Sequence, residues 1–248
     1  MEKNQEKLLA AGTLLSQYIQ NPKPYTTRVL RGGKRTAYLE QFANQPLSFL
    51  QKSFITGHLL GDGCILYTDG ITPFLKIDQQ VSQKAYIDVI YSVFEEYVGS
   101  PPSLRRDRMG NPHSYYFRTL RTEKLANYAK QFYQLNAMGR RTKVVPQNIH
   151  KWLNPISLAV WFMDDGGTEV SGYRLHTENF LLSDVKILQQ ALGSVFNLQA
   201  NVRRDNRTTG TLYYLSIPAN SKQRFQEIVA PYMVPTMMYK LRLPDTES

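Results

Sequence analysis

The chain has 248 residues, 42% of them hydrophobic, which is enough to bury one large core or two smaller ones and excludes a disordered chain. A single cysteine, Cys64, excludes an intramolecular disulfide, and no apolar run reaches the roughly 18 residues of a membrane span, so no membrane partner is expected. The formal net charge of +10 indicates a polyanionic partner, because an excess of Lys and Arg is typical of proteins that bind nucleic acid.

The apolar pattern of the first half predicts seven elements in the order α-β-β-α-β-β-α. Residues 1–45 precede this pattern and are interpreted as an N-terminal basic extension. The predicted elements are an apolar helix over 46–62, two strands over 64–80, a helix over 83–98, a hairpin over 103–121 and a helix over 122–135.

The same order of elements restarts in the second half, and a duplication is the simplest account of it. Two prolines break the periodicity between residues 144 and 155, so the boundary is placed there. The sequence therefore predicts an α+β fold with two pseudo-symmetric domains, over 46–150 and 151–248. The second set of elements is a helix over 155–165, strands around 168–180, a helix over 182–196, a hairpin over 201–217 and a helix over 221–232.

Both predicted hairpins join an arginine cluster, a Gly/Asn turn and an aromatic-rich strand. This pattern predicts a strand pair that presents cations to nucleic acid, although each hairpin could instead be an ordinary solvated strand face. Because the pattern occurs twice, nucleic-acid binding is favoured. The candidate contact residues are Lys76, Arg105, Arg106, Arg108, Arg118, Arg203, Arg204 and Arg207.

Each half begins with an apolar helix that ends at an aspartate followed by glycine, Asp62 and Asp165. A glycine cap explains the helix end but not the carboxylate, which adds negative charge to a helix C-terminus at a cost of roughly a few tenths of a kcal/mol. Gly57 and Gly61 lie one turn apart, so a second helix can approach closely. If the two helices pack side by side, the carboxylates meet in an anionic site, and oxygen ligands favour a hard cation such as Mg²⁺.

Paired metal-binding carboxylates in a basic protein predict phosphodiester hydrolysis, because divalent ions activate water and stabilise the reacting oxygens. Each half also carries a late lysine shortly before a proline, Lys143 before Pro146 and Lys240 before Pro244. These lysines could stabilise charge and position water, or they could make plain phosphate contacts. Spacing alone does not separate the two roles.

Two polar residues of these helices have no counterpart in the other half. His58 stands one turn before Asp62, but Trp161 occupies the equivalent position before Asp165, so a duplicated site does not need His58 as a ligand. Asp164 has Gly61 as its counterpart and is interpreted as a local structural group close to the metal site, not as a principal ligand.

Two nine-residue segments resemble the signature of the LAGLIDADG homing endonucleases: ITGHLLGDG at 55–63 and LAVWFMDDG at 158–166. The resemblance extends over residues 46–244 and is closest to the single-chain, two-motif members of the family. It implies that the signature helices form the interface between two domains, whose sheets form a saddle over the DNA major groove. It also implies a monomer that cuts both strands of double-stranded DNA at a long asymmetric site, leaving short 3′ overhangs.

The same resemblance implies roles for individual residues. Asp62 and Asp165 would hold Mg²⁺ or Mn²⁺, with Gly61 and Asp164 beside the metal, and Lys143 and Lys240 would be the basic residues of the active site. An organelle would be the compartment, although no targeting segment is seen in the sequence.

Two departures from the family pattern and two other functions stay open. Val160 and Asp164 replace the glycines of the first motif, so the helix packing is expected to be less symmetric. Residues 1–45 have no counterpart in the family and could be a basic arm that follows the DNA backbone or a solvated extension. An intron maturase that binds RNA uses the same fold, whereas a noncatalytic DNA-binding relative would not need both aspartates and both lysines.

Overall fold

The structure is a computed structural model that describes residues 2–28, 33–41, 45–68, 71–207 and 210–242. It contains helices α1 (Glu2–Gln20), α2 (Gly33–Glu40), α3 (Phe49–Leu60), α4 (Lys84–Phe94), α5 (Ala126–Phe132), α6 (Pro155–Asp165), α7 (Leu182–Phe196) and α8 (Ala219–Val229). The strands are β1 (Cys64–Thr68), β2 (Ile71–Gln80), β3 (Ser103–Arg106), β4 (Pro112–Arg118), β5 (Tyr133–Leu135), β6 (Arg141–Lys143), β7 (Gly166–Thr168), β8 (Tyr173–Leu175), β9 (Asn201–Arg207) and β10 (Gly210–Ile217). None of the helices within these ranges is both long enough and apolar enough to cross a membrane.

The chain forms two compact units whose bounds differ from the predicted domains. Unit 1 comprises Met1–Lys52 and Gly63–Ala129, and unit 2 comprises Ser53–Asp62 and Lys130–Ser248. Most of α3, the first signature helix, therefore belongs by its contacts to the same unit as α6, the second. The predicted domains over 46–150 and 151–248 rest on the repeated order of elements in the sequence, and this division stays a prediction.

Unit 1 is built on an antiparallel sheet with the strand order β1-β2-β4-β3. Burial alternates along β2, so Leu75 and Ile77 are buried while Phe74, Lys76 and Asp78 lie on the opposite, more exposed face. Helix α4 packs on the buried face, and α1 packs on α4. The apolar stripe of α4 and the period-two pattern of β2 thus agree on the position of the core.

The N-terminal segment is anchored to unit 1 by helix α1 and by the residues that follow it. Ala11 and Leu15 of α1 are buried. Beyond the helix, the backbone N–H of Lys23 donates to Ser92 Oγ at 2.8 Å, and that of Thr26 donates to Tyr91 Oη at 2.8 Å. These contacts anchor residues 2–28 on α4. The sequence did not predict this anchoring, because residues 1–45 have no counterpart in the family pattern. Residues 29–32 and 42–44 of the proposed extension lie outside the described residues.

Unit 2 contains a second antiparallel sheet with the equivalent strand order, β7-β8-β10-β9. Helix α7 packs on β9 and β10, and α6 packs against α8. Helix α6 begins at a complete capping box, in which Asn154 and Ser157 satisfy each other's backbone N–H groups, with Pro155 in the first turn. Its predicted span, 155–165, is confirmed. Strands β7 and β8 are shorter than the predicted 168–180 region.

The predicted helix over 122–135 is wrong at its C-terminal end. The α-helix stops at Phe132, and β5 pairs with β6 in a small antiparallel hairpin. The turn explains the difference, because Asn136 Oδ1 accepts the backbone N–H groups of Met138 and Arg140 at 3.0 and 2.9 Å, and Gly139 has a φ of 71°. The sequence signal for this hairpin was Asn136 followed by Gly139, a combination typical of a turn.

Candidate active site

Helices α3 and α6 approach so closely within unit 2 that two glycines are required at their contact. A Cβ atom added to Gly57 would lie 2.6 Å from both the carbonyl oxygen of Ser157 and the Cβ of Val160. A Cβ added to Gly61 would lie 2.5 Å from the Cβ of Asp164. The glycines of one helix therefore accommodate the larger residues at the equivalent positions of the other, which is the asymmetric packing that the sequence predicts.

The ends of these two helices bring Asp62 and Asp165 together. Asp62 lies two residues beyond the end of α3 and is exposed, whereas Asp165 ends α6 and is half-buried. Their carboxyl groups lie within hydrogen-bonding distance of each other. Burial raises the pKa of Asp165 well above its usual range, the charges of Asp62 and Asp164 raise this pKa further, and the charge of Lys143 lowers it. The site therefore concentrates negative charge that a bound cation would stabilise.

Both predicted lysines lie at the ends of the signature helices. Lys143 Nζ donates to the carbonyl oxygen of Gly61 at 2.8 Å, at the end of α3. Lys240 Nζ donates to the carbonyl oxygens of Met163 at 2.5 Å and Asp164 at 3.2 Å, at the end of α6. Each ammonium group thus offsets the partial negative charge of one helix C-terminus.

The environment of Lys240 differs from an ordinary surface lysine. Burial lowers the pKa of Lys240, and the nearby acids Asp164, Asp62 and Asp165 act in the opposite direction without restoring its usual value. A lysine held in this way keeps its ammonium group fixed near the two carboxylates instead of leaving it to move in solvent.

A buried pair, His58 and Asp164, lies across the contact of α3 and α6. His58 Nδ1 is 2.7 Å from Asp164 Oδ2, and both side chains are fully buried. The same Oδ2 accepts the backbone N–H of Asp62 at 3.3 Å. Asp164 is therefore engaged inside the helix contact, as expected of a local structural group, and His58 is bound to a carboxylate.

The donor atoms at the helix ends suit a hard cation. Carboxylate and carbonyl oxygens are the ligands that Mg²⁺ and Mn²⁺ accept, and the site contains Asp62, Asp165 and the carbonyl oxygen of Gly61. The carbonyl of Gly61 already accepts a bond from Lys143 but has a second lone pair. Among the described residues, no group of three or more His, Cys, Asp or Glu side chains is arranged to hold a metal ion.

The candidate DNA-binding residues of the first half lie either on the exposed face of the unit 1 sheet or at the end of its hairpin. Lys76 pairs with Arg118 on the exposed face. Arg105 lies on that face too, where it forms a 2.6 Å ion pair with Asp78 and its guanidinium lies 3.8 Å from the centre of the Tyr116 ring. The other two candidates lie at the end of the hairpin: Arg106 donates to the carbonyl oxygen of Gly110 at 2.8 Å, and Arg108 is exposed in the turn.

The sheet of unit 2 places two of its candidates, Arg203 and Arg204, on opposite faces. Arg203 pairs with Tyr214, whereas Arg204 pairs with Tyr213 and thus lies on the opposite face of the sheet. The side chain of Arg207, the last candidate, lies outside the described residues. One arginine outside the predicted clusters joins this surface: Arg174 in β8 shares the face of Arg203, and its guanidinium lies 3.6 Å from the centre of the Tyr214 ring.

Similarity to known proteins extends across both signature helices. Residues 52–225 match the LAGLIDADG DNA endonuclease family. The chain belongs to this family. It is 33% identical over 209 residues to probable intron-encoded endonuclease 1 of Wickerhamomyces canadensis, which covers 79% of this chain and 85% of that protein.

Two further relatives of this LAGLIDADG chain differ in what they are described to do. One is the cytochrome b mRNA maturase bI2 of Saccharomyces cerevisiae, 27% identical over 204 residues; the match covers 79% of this chain and 48% of the maturase. The other is a solved structure, the homing endonuclease I-WcaI bound to its DNA recognition sequence. It aligns with a TM-score of 0.72 at 29% identity, covering 85% of this chain and 93% of that one. The predicted α+β fold class of the LAGLIDADG proteins is thereby confirmed.

Proposed function

We propose that the protein is a site-specific DNA endonuclease that cuts both strands with divalent metal ions held by Asp62 and Asp165. The observation that carries this proposal is the meeting of these two helix-terminal carboxylates within hydrogen-bonding distance, with a lysine at the end of each helix. The similarity to I-WcaI, which is described as bound to its DNA recognition sequence, supports double-stranded DNA as the substrate.

Mg²⁺ or Mn²⁺ is the proposed cofactor, since the available donors are oxygens. When bound, such an ion stabilises the attacking and leaving oxygens of a phosphodiester and lowers the pKa of bound water. Asp62 and Asp165 are the proposed ligands, and the carbonyl oxygen of Gly61 is a further candidate. Asp164 lies next to the ligands, but its buried hydrogen bonds favour a supporting role over direct coordination.

Lys143 and Lys240 are proposed to stabilise negative charge at the reacting phosphates. Their ammonium groups lie beside the helix ends that carry the two carboxylates, and this placement supports a role at the reaction centre over a distant phosphate contact. Because each lysine lies at a different helix end, we assign one lysine to each scissile phosphate.

The exposed faces of the two four-stranded sheets are the proposed DNA-binding surfaces. Lys76, Arg105 and Arg118 share one such face in unit 1, and Arg174 and Arg203 share one in unit 2. Cations and aromatic rings alternate on these faces, which suits contacts to phosphates together with base edges. Arg106 and Arg108 are proposed to reach the DNA backbone from the hairpin turn. Arg207 stays a candidate, whereas Arg204 lies on the opposite face of β9 and is assigned no DNA contact.

The finer features of the reaction follow from the family. We propose a monomer that acts at a long asymmetric site and leaves short 3′ overhangs, with the duplication over 46–150 and 151–248 matching two unequal half-sites. An organelle is the proposed compartment, because the relative from Wickerhamomyces canadensis is described as intron-encoded.

Binding of intron RNA to assist splicing is a second candidate function. It is favoured by the similarity to the cytochrome b mRNA maturase bI2, although this chain spans about half of that protein. Both functions could reside in one chain, because cleavage depends on the carboxylate site whereas RNA binding depends on basic surface.

Selection from a library of randomised DNA duplexes tests the proposal. The purified protein is incubated with the library in Mg²⁺, and the cut ends are ligated to adapters and sequenced. We expect one asymmetric site to be enriched with a constant 3′ overhang, and no enrichment with the matched Asp62→Asn/Asp165→Asn variant. Equal enrichment by that variant would place the active site elsewhere, and no enrichment by the wild-type protein would refute the endonuclease.

A further inference from the structure

The contact between α3 and α6 contains a hydrogen-bond chain centred on the buried side chains of His58 and Asp164. It runs from the His58 ring to the Asp164 carboxylate at 2.7 Å, and from the same oxygen to the backbone N–H of Asp62 at 3.3 Å. Since a carboxylate only accepts hydrogen bonds, the ring nitrogen that faces it carries the proton. A charged group in such a site is stable only when its hydrogen bonds are satisfied.

We propose that His58 and Asp164 are positioning residues that fix the spacing of the two metal-binding carboxylates. Asp164 is the chain neighbour of Asp165, and it accepts a hydrogen bond from the backbone of Asp62 on the other helix. One side chain is thus linked to both ligand residues, and His58 fixes the orientation of that side chain. The inference rests on the proposed function, because it concerns the geometry of the same metal site.

Glycine at position 61 leaves the space that the Asp164 carboxylate occupies. A Cβ on Gly61 would lie 2.5 Å from the Cβ of Asp164 and 2.8 Å from its Oδ2, so a side chain there would displace the carboxylate. Gly61 and Asp164 are therefore complementary in size. This complementarity explains why the two motifs carry different residues at these equivalent positions. A packing role alone would need neither the carboxylate nor the histidine.

Direct coordination of the metal by Asp164 is the alternative, and the two roles require different properties of the side chain. A carboxylate ligand contributes its negative charge to cation binding, so replacing it with a neutral amide weakens that binding. A positioning residue needs a hydrogen-bond acceptor of the same shape, which the side-chain oxygen of asparagine supplies. Asp164→Asn therefore separates the roles, and Asp164→Ala removes both.

The test measures Mn²⁺ binding by calorimetry to each variant in complex with the duplex recovered by selection. We expect Asp164→Ala and His58→Leu to weaken Mn²⁺ binding by about 10- to 100-fold, as is typical when a partner of a metal ligand is lost. Asp164→Asn should restore most of the affinity that Asp164→Ala loses. Hydrogen exchange of the Asp62 amide gives a second readout that needs no metal, and this exchange should accelerate in Asp164→Ala.

Ser53→Ala is the matched control for the stability of the helix pair. Ser53 Oγ accepts a hydrogen bond from Asn154 Nδ2 at 2.9 Å between α3 and α6, at the other end of the helices. Its loss should lower the thermal unfolding temperature without changing Mn²⁺ affinity. If Asp164→Ala or His58→Leu does not fold, Asp164→Asn and the Asp62 amide still report on the arrangement.

The outcomes separate this inference from the proposed function. Unchanged Mn²⁺ affinity in Asp164→Ala overturns the positioning role, and so does an Asp164→Asn variant as weak as Asp164→Ala, which would identify a ligand. A wild-type protein that neither cuts DNA nor binds Mn²⁺ refutes the proposed function itself. Weak binding in Asp164→Ala, rescue in Asp164→Asn and an unchanged Ser53→Ala control support the inference.

Discussion

Replacing Asp165 with asparagine is expected to stabilise the metal-free protein at neutral and alkaline pH. Asp165 lies half-buried within hydrogen-bonding distance of Asp62, and burial together with the charges of Asp62 and Asp164 raises its pKa to about 8. In the absence of a cation, ionising this carboxyl therefore opposes folding. Asparagine keeps the shape and removes the charge, so the variant avoids this unfavourable term.

The size of this stabilisation is set by the charge repulsion between Asp62 and Asp165. Two unit charges about 4 Å apart interact by about 4 kcal/mol at the effective dielectric constant near 20 that suits protein surfaces. Asp62 is exposed and Lys143 lowers the pKa of Asp165, so water and this lysine screen part of the repulsion. We expect a net gain of about 1–3 kcal/mol, which raises the thermal midpoint of a domain of this size by about 2–10 °C.

The pH dependence gives the sharper test, because its sign is fixed. A carboxyl whose pKa is higher in the folded than in the unfolded state makes stability fall as the pH rises from its unfolded value to its folded value. For Asp165 this window extends from about 4 to about 8. The difference between Asp165→Asn and wild type should be small at the acidic end and largest above the window. Differential scanning calorimetry in a metal chelator at a series of pH values measures it.

Two comparisons decide whether the reasoning holds. Adding Mg²⁺ should stabilise the wild type more than Asp165→Asn, because the cation needs the carboxylate. Asp107 in the β3–β4 turn is a control of opposite sign, since backbone N–H bonds from Asn111 and Met109 hold its pKa below the usual range. Asp107→Asn should therefore lose stability above the acidic range. An Asp165→Asn variant that is less stable than wild type at alkaline pH would refute the anionic cluster.

Three further predictions concern the DNA surface, the helix contact and the lysines. Arg203→Ala should weaken DNA binding and reduce the slope of log affinity against log salt concentration by roughly one unit. Arg204→Ala, on the opposite face, should change neither quantity, and a salt titration of duplex affinity measures both variants. Gly57→Ala should cost about 1–3 kcal/mol in denaturant unfolding, because its Cβ would lie 2.6 Å from the neighbouring helix. Lys143→Met and Lys240→Met should each slow cleavage of one DNA strand by on the order of 10²-fold, so that nicked plasmid accumulates. Equal slowing of the cleavage of both strands in end-labelled duplexes would contradict the assignment of one lysine to each phosphate.

The helices and carboxylates of the candidate site were predictable from local sequence. An apolar helix that ends at Asp-Gly occurs twice, and an aspartate at a helix C-terminus is unfavourable unless something compensates it. The glycines at 57 and 61 predict a close helix contact, and the structure places Val160 and Asp164 in the space they leave. These inferences needed only residue spacing and the charge of a helix end.

Features that depend on chain segments far apart were not predictable in the same way. The Asp164 carboxylate meets His58 and the backbone of Asp62 only because α3 and α6 pack together. Arg203 and Arg204 are neighbours in sequence, and only the register of β9 against β10 assigns them to opposite faces. Arg174 was missed because it stands outside the two arginine-rich hairpins, and only the pairing of β8 with β10 brings it to the Tyr214 ring.

The structure also shows why two similar signature helices need not give their carboxylates equal environments. Asp62 follows the helix that carries glycines and stays exposed, whereas Asp165 ends the helix that carries the larger residues and is half-buried. Lys240 contacts the carbonyl oxygens of Met163 and Asp164, and burial lowers its pKa. At this contact, Gly57 and Gly61 of the first motif leave the space that Val160 and Asp164 of the second occupy. This unequal packing gives each carboxylate and each lysine a different environment, so the two helix ends differ in chemistry because the helices fit together.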